Sequence, residues 1–266
     1  MTGGLASVAQ AIRATLLTAD PRAKVMATRK IARDWRLGRL AARYDVAMPD
    51  APARPDRPEL LPPRLMPKRK KAGSDRAKIA LLHALAHIEF VAIDLALDLV
   101  GRFGGEMPTG FTDDWLTIAS EEAMHFALVR RRLRSLGADY GDLPAHDGLW
   151  EAASDTRHDI SARLAVVPMV LEARGLDVTP AMIDRFTALG DARSAAMLQR
   201  ILDDEIGHVR AGLRWFHHCC AREDRSPLDH WQNMVKRHFR GQLKPPFNDS
   251  ARQRAGLSRD FYLVGC

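Results

Sequence analysis

Two copies of one short pattern constrain this chain more than any other feature: Glu121-Glu122-Ala123-Met124-His125 and Asp204-Glu205-Ile206-Gly207-His208. In each, a glutamate and a histidine lie three residues apart, behind a second acid. On an α-helix, positions i and i+3 share a face, so both side chains can reach one point. A single Glu-x-x-His is common in helical proteins. The upstream glutamates make the pair far more specific: Glu89 precedes Glu122 by 33 residues, and Glu172 precedes Glu205 by 33.

Hydrophobic periodicity puts these residues on helices. Ser74-Asp75 can cap a helix running to about Val100, with Leu82, Leu85, Ala86, Glu89, Ile93, Ala96 and Val100 on one stripe. Thr112-Asp113-Asp114 opens a second, with Trp115, Ile118, Glu122, His125, Val129 and Leu133 aligned. Both glutamates therefore occupy apolar stripes, where a lone carboxylate is costly to bury. Glu89 lies 12 residues before Gly101 and Glu122 lies 10 after Thr112, so an antiparallel hairpin brings them to nearly equal height. A third helix is expected over Trp150–Arg174, kinked by Pro168 one turn before Glu172 and interrupted again at Gly175 and Thr179-Pro180. The fourth runs from Gly190-Asp191 to about Cys220 and carries Leu198, Ile201, Glu205, His208 and Phe216 on one line.

The ends of the chain read differently. Residues from Leu5 to Leu40 are helical apart from a break at Asp20-Pro21, and Met48 to Pro67 holds seven prolines. That density excludes a helix or a central strand and leaves an extended strap, with Leu60, Leu61, Leu65 and Met66 to pack against the helices. Ser226-Pro227 begins a fifth helix to about Arg240, followed by a breaker-rich tail. The expected division is 1–74 (N-terminal helical segment and proline-rich strap), 75–220 (helical bundle) and 221–266 (C-terminal helix and packing tail).

The ligand pattern matches that of dinuclear carboxylate four-helix bundles, in which two helices each give a Glu and two each give a Glu-x-x-His. The segments RPELLPPRLMPKR, LLHALAHIE, HDGLW, VLEARGLDVTP, DEIGHV and LKPPFN add to this. Through them, roughly residues 50–260 resemble an uncharacterised bacterial ferritin-like family within the ferritin-like di-iron carboxylate superfamily. The resemblance implies an all-α, ferritin-like four-helix bundle with a long crossover connection. It also implies two iron ions, with manganese as the alternative, held by Glu89, Glu122, His125, Glu172, Glu205 and His208. Relatives at superfamily level oxidise iron, activate dioxygen or hydroxylate substrates, and fold does not choose among these.

Four carboxylates balance the charge of two divalent ions, and two neutral imidazoles complete the donor set. Glu121 and Asp204, each one residue before a ligand glutamate, are placed to hydrogen-bond a histidine of the opposite helix and fix its ring. His83 and His87 fall off the Glu89 face and read as structural. Tyr140 and Trp150 read as packing residues, with electron transfer as the alternative, and Cys219-Cys220 as core or surface thiols.

The formal net charge of +7 and a pI near 9.7 open the way to an anionic partner. The runs Lys68-Arg69-Lys70-Lys71 and Arg130-Arg131-Arg132 with Arg134 fit solvated faces and a basic linker. Three cysteines make neither a disulfide framework nor a zinc site. No run of eighteen apolar residues predicts a membrane span, and the N-terminus lacks the marks of a secretory signal, so a cytoplasmic location is expected. The leading expectation is a non-haem di-iron oxidoreductase that activates dioxygen to oxidise or hydroxylate a small or anionic substrate, served by an electron-donor reductase. Its competitors are a ferroxidase or iron-handling protein without organic substrate, a tRNA-modifying hydroxylase and a metal-stabilised binding protein.

Overall fold

Caps and apolar stripes set the helices of this mostly helical chain, as a computed structural model describes it for residues 5–67 and 74–263. The Lys68-Arg69-Lys70-Lys71 run and Cys266 lie outside the described residues. The chain divides into two compact units, Met1–Trp150 and Glu151–Cys266. That boundary falls within the 75–220 segment that the sequence reading treats as one domain.

In the first unit, the helical stretch expected over Leu5–Leu40, with its break at Asp20-Pro21, is two helices, α1 (Val8–Leu16) and α2 (Pro21–Arg36). Asp20 separates them because its carboxylate caps Ala23 N–H while Pro21 takes the first helical position. Residues on either side pair as two short parallel strands, β1 (Ala6–Ser7) and β2 (Leu40–Ala41). The long helices are α3 (Asp75–Phe103), capped by Ser74, and α4 (Thr109–Ser135). The helix start expected at Thr112 lies one turn inside α4, which begins after Pro108. With these ends, Glu89 is 14 residues before the end of α3 and Glu122 is 13 after the start of α4, a closer match in height than the sequence alone suggests. By length and composition α3 could cross a membrane, but most of its side chains are buried as in a core helix.

The proline-rich segment lies along this unit as a strap. Met48 is buried against Gly101, where a Cβ would come within 2.3 Å of its sulfur. Farther on, Leu61 N–H donates to Ala145 O (2.8 Å) and Ala145 N–H to Glu59 O (2.9 Å). The loop after α4 is fastened by Asp139, which accepts hydrogen bonds from Arg130 and Arg134. Part of the arginine run is thus ion-paired rather than simply solvated.

Burial pushes the Asp139 carboxyl up, but the hydrogen bonds from Arg130, Arg134 and the Tyr140 N–H outweigh it and hold the group well below the usual carboxylate range. A depressed folded value contributes stability above the unfolded pKa of about 3.9 and loses it as pH falls through the folded one. The Asp139→Asn variant should therefore lose less stability than the wild type on acidification below about pH 4. Melting temperatures measured across that range check this; parallel curves would contradict it.

In the second unit, the single third helix expected from sequence is broken. The pieces are α5 (Gly148–Asp155, spanning the boundary between the units), α6 (Ile160–Val166), a π-helical segment (Val167–Glu172) and α7 (Ala173–Ala188). Asp159 caps α6 through Ala162 N–H, and Thr156 bonds back to Ala152 and Ala153 to close α5. Pro168 lacks the N–H that an α-helix needs, and the wider π turn takes up that loss. It falls where the kink is expected.

Gly175 and Pro180, expected to interrupt the helix, lie inside α7. Pro180 cannot donate to the carbonyl of Leu176, four residues back. That carbonyl instead accepts from Asn248 Nδ2 at 3.0 Å, so the C-terminal tail repairs the helix. The tail is further held by Arg252, buried and paired with Asp177 at 2.7 Å. It contains α10 (Asp249–Arg254) and α11 (Arg259–Leu263), after α8 (Ala192–Arg222) and α9 (Pro227–His238). Asp191 caps α8 through Ser194 N–H at 3.0 Å.

Candidate metal centre

α3 and α4 pack as an antiparallel hairpin and bring Glu89, Glu122 and His125 together. Glu122 and His125 share a face of α4 because they are three residues apart. One ligand atom from each of the three side chains lies within 4.8 Å of the others. His125 Nδ1 is 3.4 Å from Glu89 Oε2 and 3.4 Å from Glu122 Oε2. The surroundings are dry: Glu89 is 2% exposed, Glu122 1% and His125 0%.

Two carboxylates in so apolar a place need a compensating positive charge. Without metal, His125 supplies it. Burial alone would lower its pKa, but hydrogen bonding and charge from Glu122 and Glu89 raise it to about 11. A cation bound between the carboxylates would replace that proton and leave imidazole as a neutral ligand. This Glu/His cluster could hold a metal ion.

The second unit repeats the arrangement in part. Glu205 and His208 share a face of α8, with His208 Nδ1 at 3.6 Å from Glu205 Oε2. His208 is 1% exposed, and Glu205 Oε2 is shut off from solvent with no hydrogen-bond partner among the described residues. Glu172 is the last residue of the π-helical segment, half-buried, with its Oε2 also shielded. The wider turn decides the direction in which this carboxylate projects. Pro168, within the same segment, packs on Gly212 of α8, where a Cβ would be 2.4 Å from the proline Cβ. That contact fixes the spacing between the helix bearing Glu172 and the helix bearing Glu205 and His208.

The acids preceding Glu122 and Glu205 also meet other surroundings. Asp204 pairs with Arg200 on its own helix at 2.7 Å. Glu121 lines a surface groove between α2 and α4. His83 Nε2 accepts the N–H groups of Gly141 (2.9 Å) and Leu143 (3.3 Å), holding the loop after α4. His87 Nδ1 is 2.9 Å from Tyr140 Oη, and Tyr140 packs on Phe90 and Phe126. His83, His87 and Tyr140 thus tie the loop after α4 to α3. Cys219 and Cys220 are buried, and burial pushes both thiols up to about 11.

Sequence reasoning missed a buried ionic network in the first unit. Lys24 of α2 and Asp94 of α3 are both 0% exposed and meet at 2.6 Å, and Arg54 of the strap reaches the other Asp94 oxygen. The signal was legible: Asp94 stands in the apolar run Val91-Ala92-Ile93 to Leu95-Ala96-Leu97. An acid at such a place requires a partner, though sequence does not say which one.

A family described as "Protein of unknown function (DUF455)" matches residues 17–263. An uncharacterized protein of Haemophilus influenzae is 42% identical over 211 residues, covering 77% of this chain and 73% of the relative. No solved structure matches.

Proposed function

The chain belongs to the DUF455 family, whose description names no reaction, and from the donor set alone we propose a non-haem di-iron oxidoreductase that uses dioxygen to oxidise or hydroxylate a substrate. The observation that carries this reading is the buried Glu89, Glu122 and His125 cluster. The α3–α4 pair, and the continuous run of α6, the π-helical segment and α7 paired with α8, would be the four helices of a ferritin-like bundle. Glu89, Glu122 and His125 would hold metal from one pair, and Glu172, Glu205 and His208 from the other.

The donor chemistry fits the group. Six oxygen and nitrogen ligands without a thiolate suit iron or manganese. Four carboxylates neutralise two divalent ions, so no net charge is left in an apolar interior. When bound, iron would supply the reduction of dioxygen and the oxidising power for the substrate. The chain's own contribution is to orient the imidazoles through the helix faces and to keep bulk water out around α3 and α4.

Metal analysis tests the proposal. The protein reconstituted anaerobically should hold two iron or manganese ions per chain, and a Glu122→Ala, Glu205→Ala double variant should hold neither. At a metal concentration of about 100 times Kd, each bound ion should also stabilise the wild type by about 2.7 kcal/mol, and chelation should remove this. A folded wild type that takes up neither metal sinks the reading. A metal-loaded, reduced protein that consumes no oxygen would retain the centre and point to a binding role.

A further inference from the structure

We propose that the groove between α2 and α4 is a docking site for an amphipathic helical segment of a partner protein, one with an acidic edge. The groove encloses about 1260 Å³. That exceeds the roughly 300–1,000 Å³ of ordinary small-molecule sites and suits an extended occupant. The α4 wall runs from Thr109 to Glu121 and the α2 wall from Met26 to Arg36. At 1.5 Å per residue these walls are about 15–18 Å long, the length of three helical turns.

The floor and the two rims differ in chemistry. Ala27, Ala32 and Leu116 give a floor of small or buried apolar side chains, and Met26 stands 59% exposed at one end. Methionine is a side chain that adapts to varied partners. Along the α2 rim, Arg29, Arg33 and Arg36 recur at helical spacing and form one cationic edge. Arg33 lies beside Asp34 at 3.5 Å, whereas Arg29 and Arg36 make no ion pair among the described residues. The α4 rim carries Asp113, which accepts a hydrogen bond from Trp35 Nε1, together with Glu121 and the hydroxyls of Thr117 and Ser120.

This asymmetry selects the occupant. A polyanion would meet Asp113 and Glu121 as well as the arginines, and only one aromatic ring, Trp35, is present for base stacking. An apolar-faced helix with acids on one edge satisfies the floor and the α2 rim together, as in helix-in-groove recognition. Its opposite edge, neutral or basic, would face Asp113 and Glu121. The proposal rests on α2 and α4 alone and holds whether or not the metal centre does.

Selection from a displayed library of random peptides about 16 residues long, long enough for four helical turns, tests it. The wild-type protein is the target and an Arg29→Glu, Arg36→Glu variant the counter-target; both charges are exposed, and a thermal melt confirms that the variant folds. The expected result is enrichment of peptides with an apolar stripe at i, i+3, i+4, i+7 and acids along one edge. Synthesised, these should bind the wild type at least about tenfold more tightly than the variant, with affinity falling as salt rises. Enriched peptides with no acidic bias, or equal binding to both proteins, would overturn the proposal. So would tighter binding of an oligouridylate competitor, or dimerisation of the wild type that the variant abolishes.

Discussion

An Asp94→Ala substitution should destabilise the protein by about 3–5 kcal/mol, the range for removing one partner of a buried ion pair. Asp94 and Lys24 are fully buried, and the 2.6 Å contact between them is joined by the Arg54 guanidinium. Lys24 also donates to Ala53 O at 3.1 Å, and both cations lie over the Phe90 ring. Taking Asp94 away leaves the Lys24 ammonium in a dry site with only a carbonyl and a ring face for company. Burial already pushes the Lys24 pKa down and the Asp94 pKa up, toward the neutral forms. Desolvation is therefore the dominant influence on this pair, which predicts a second outcome. The Lys24→Met, Asp94→Leu double variant should be much closer to wild type than either single change, because similar apolar volume replaces the whole pair. Arg54 would keep its contact with Asp147 at 3.3 Å and is partly exposed. Urea unfolding of the three variants closes the cycle. Additive losses would show that the two side chains do not act as a pair.

Two glycines of α8 should respond in opposite directions to the same change. Gly207→Ala, with nothing within 4 Å of the new methyl, should stabilise the protein by up to about 1 kcal/mol through helix propensity. Gly212→Ala gains the same propensity but sets its methyl 2.4 Å from Pro168 Cβ and 2.6 Å from its Cγ. The proline ring belongs to the backbone of the π-helical segment, so relief requires moving that segment rather than turning a flexible side chain. The expected net loss is about 1–3 kcal/mol, as for an overpacked core. Gly212→Val should cost more. Because Glu172 ends the displaced segment, the metal uptake proposed above should also fall in the Gly212 variants and stay unchanged in Gly207→Ala. Thermal melts and metal content on the same samples separate the two effects; equal melting temperatures for the two alanine variants would contradict the close contact.

The hairpin of α3 and α4 was legible in the sequence because period, caps and turn residues agree there. Ser74 caps α3, Glu89 falls on the stripe from Leu82 onward, and Glu122 and His125 fall on the stripe from Trp115 onward in α4. The strap was legible from its prolines, although its anchors (Met48 on Gly101, Glu59 and Leu61 on Ala145) come from distant parts of the chain. The third helical region was not legible to the same degree. Its helix depends on Asn248, 72 residues from Leu176, and local pattern carries no trace of such a partner. Tertiary context overrode the proline signal at Pro180, while Pro168 acted locally and as expected. Glu121 and Asp204 read from spacing as supports for histidine, but a neighbouring arginine and a surface groove also compete for such acids. The α2–α4 groove joins surfaces far apart in sequence, so its arginine stripe had no visible counterpart.

The repair of α7 by the tail has a consequence for how the protein is made. A ribosome releases the chain from the N-terminus, so Leu176 emerges with its carbonyl unsatisfied and Asp177 without its guanidinium partner. Both wait for Asn248 and Arg252, which come 72 and 75 residues later. Domains that fold during synthesis do so as their last contacts appear. The first unit has the contacts within it to hand once Trp150 is out, whereas the second completes α7 only once Asn248 and Arg252 have emerged. A chain cut short before Asn248 would therefore carry an α7 whose Leu176 carbonyl and Asp177 carboxylate stay without these partners.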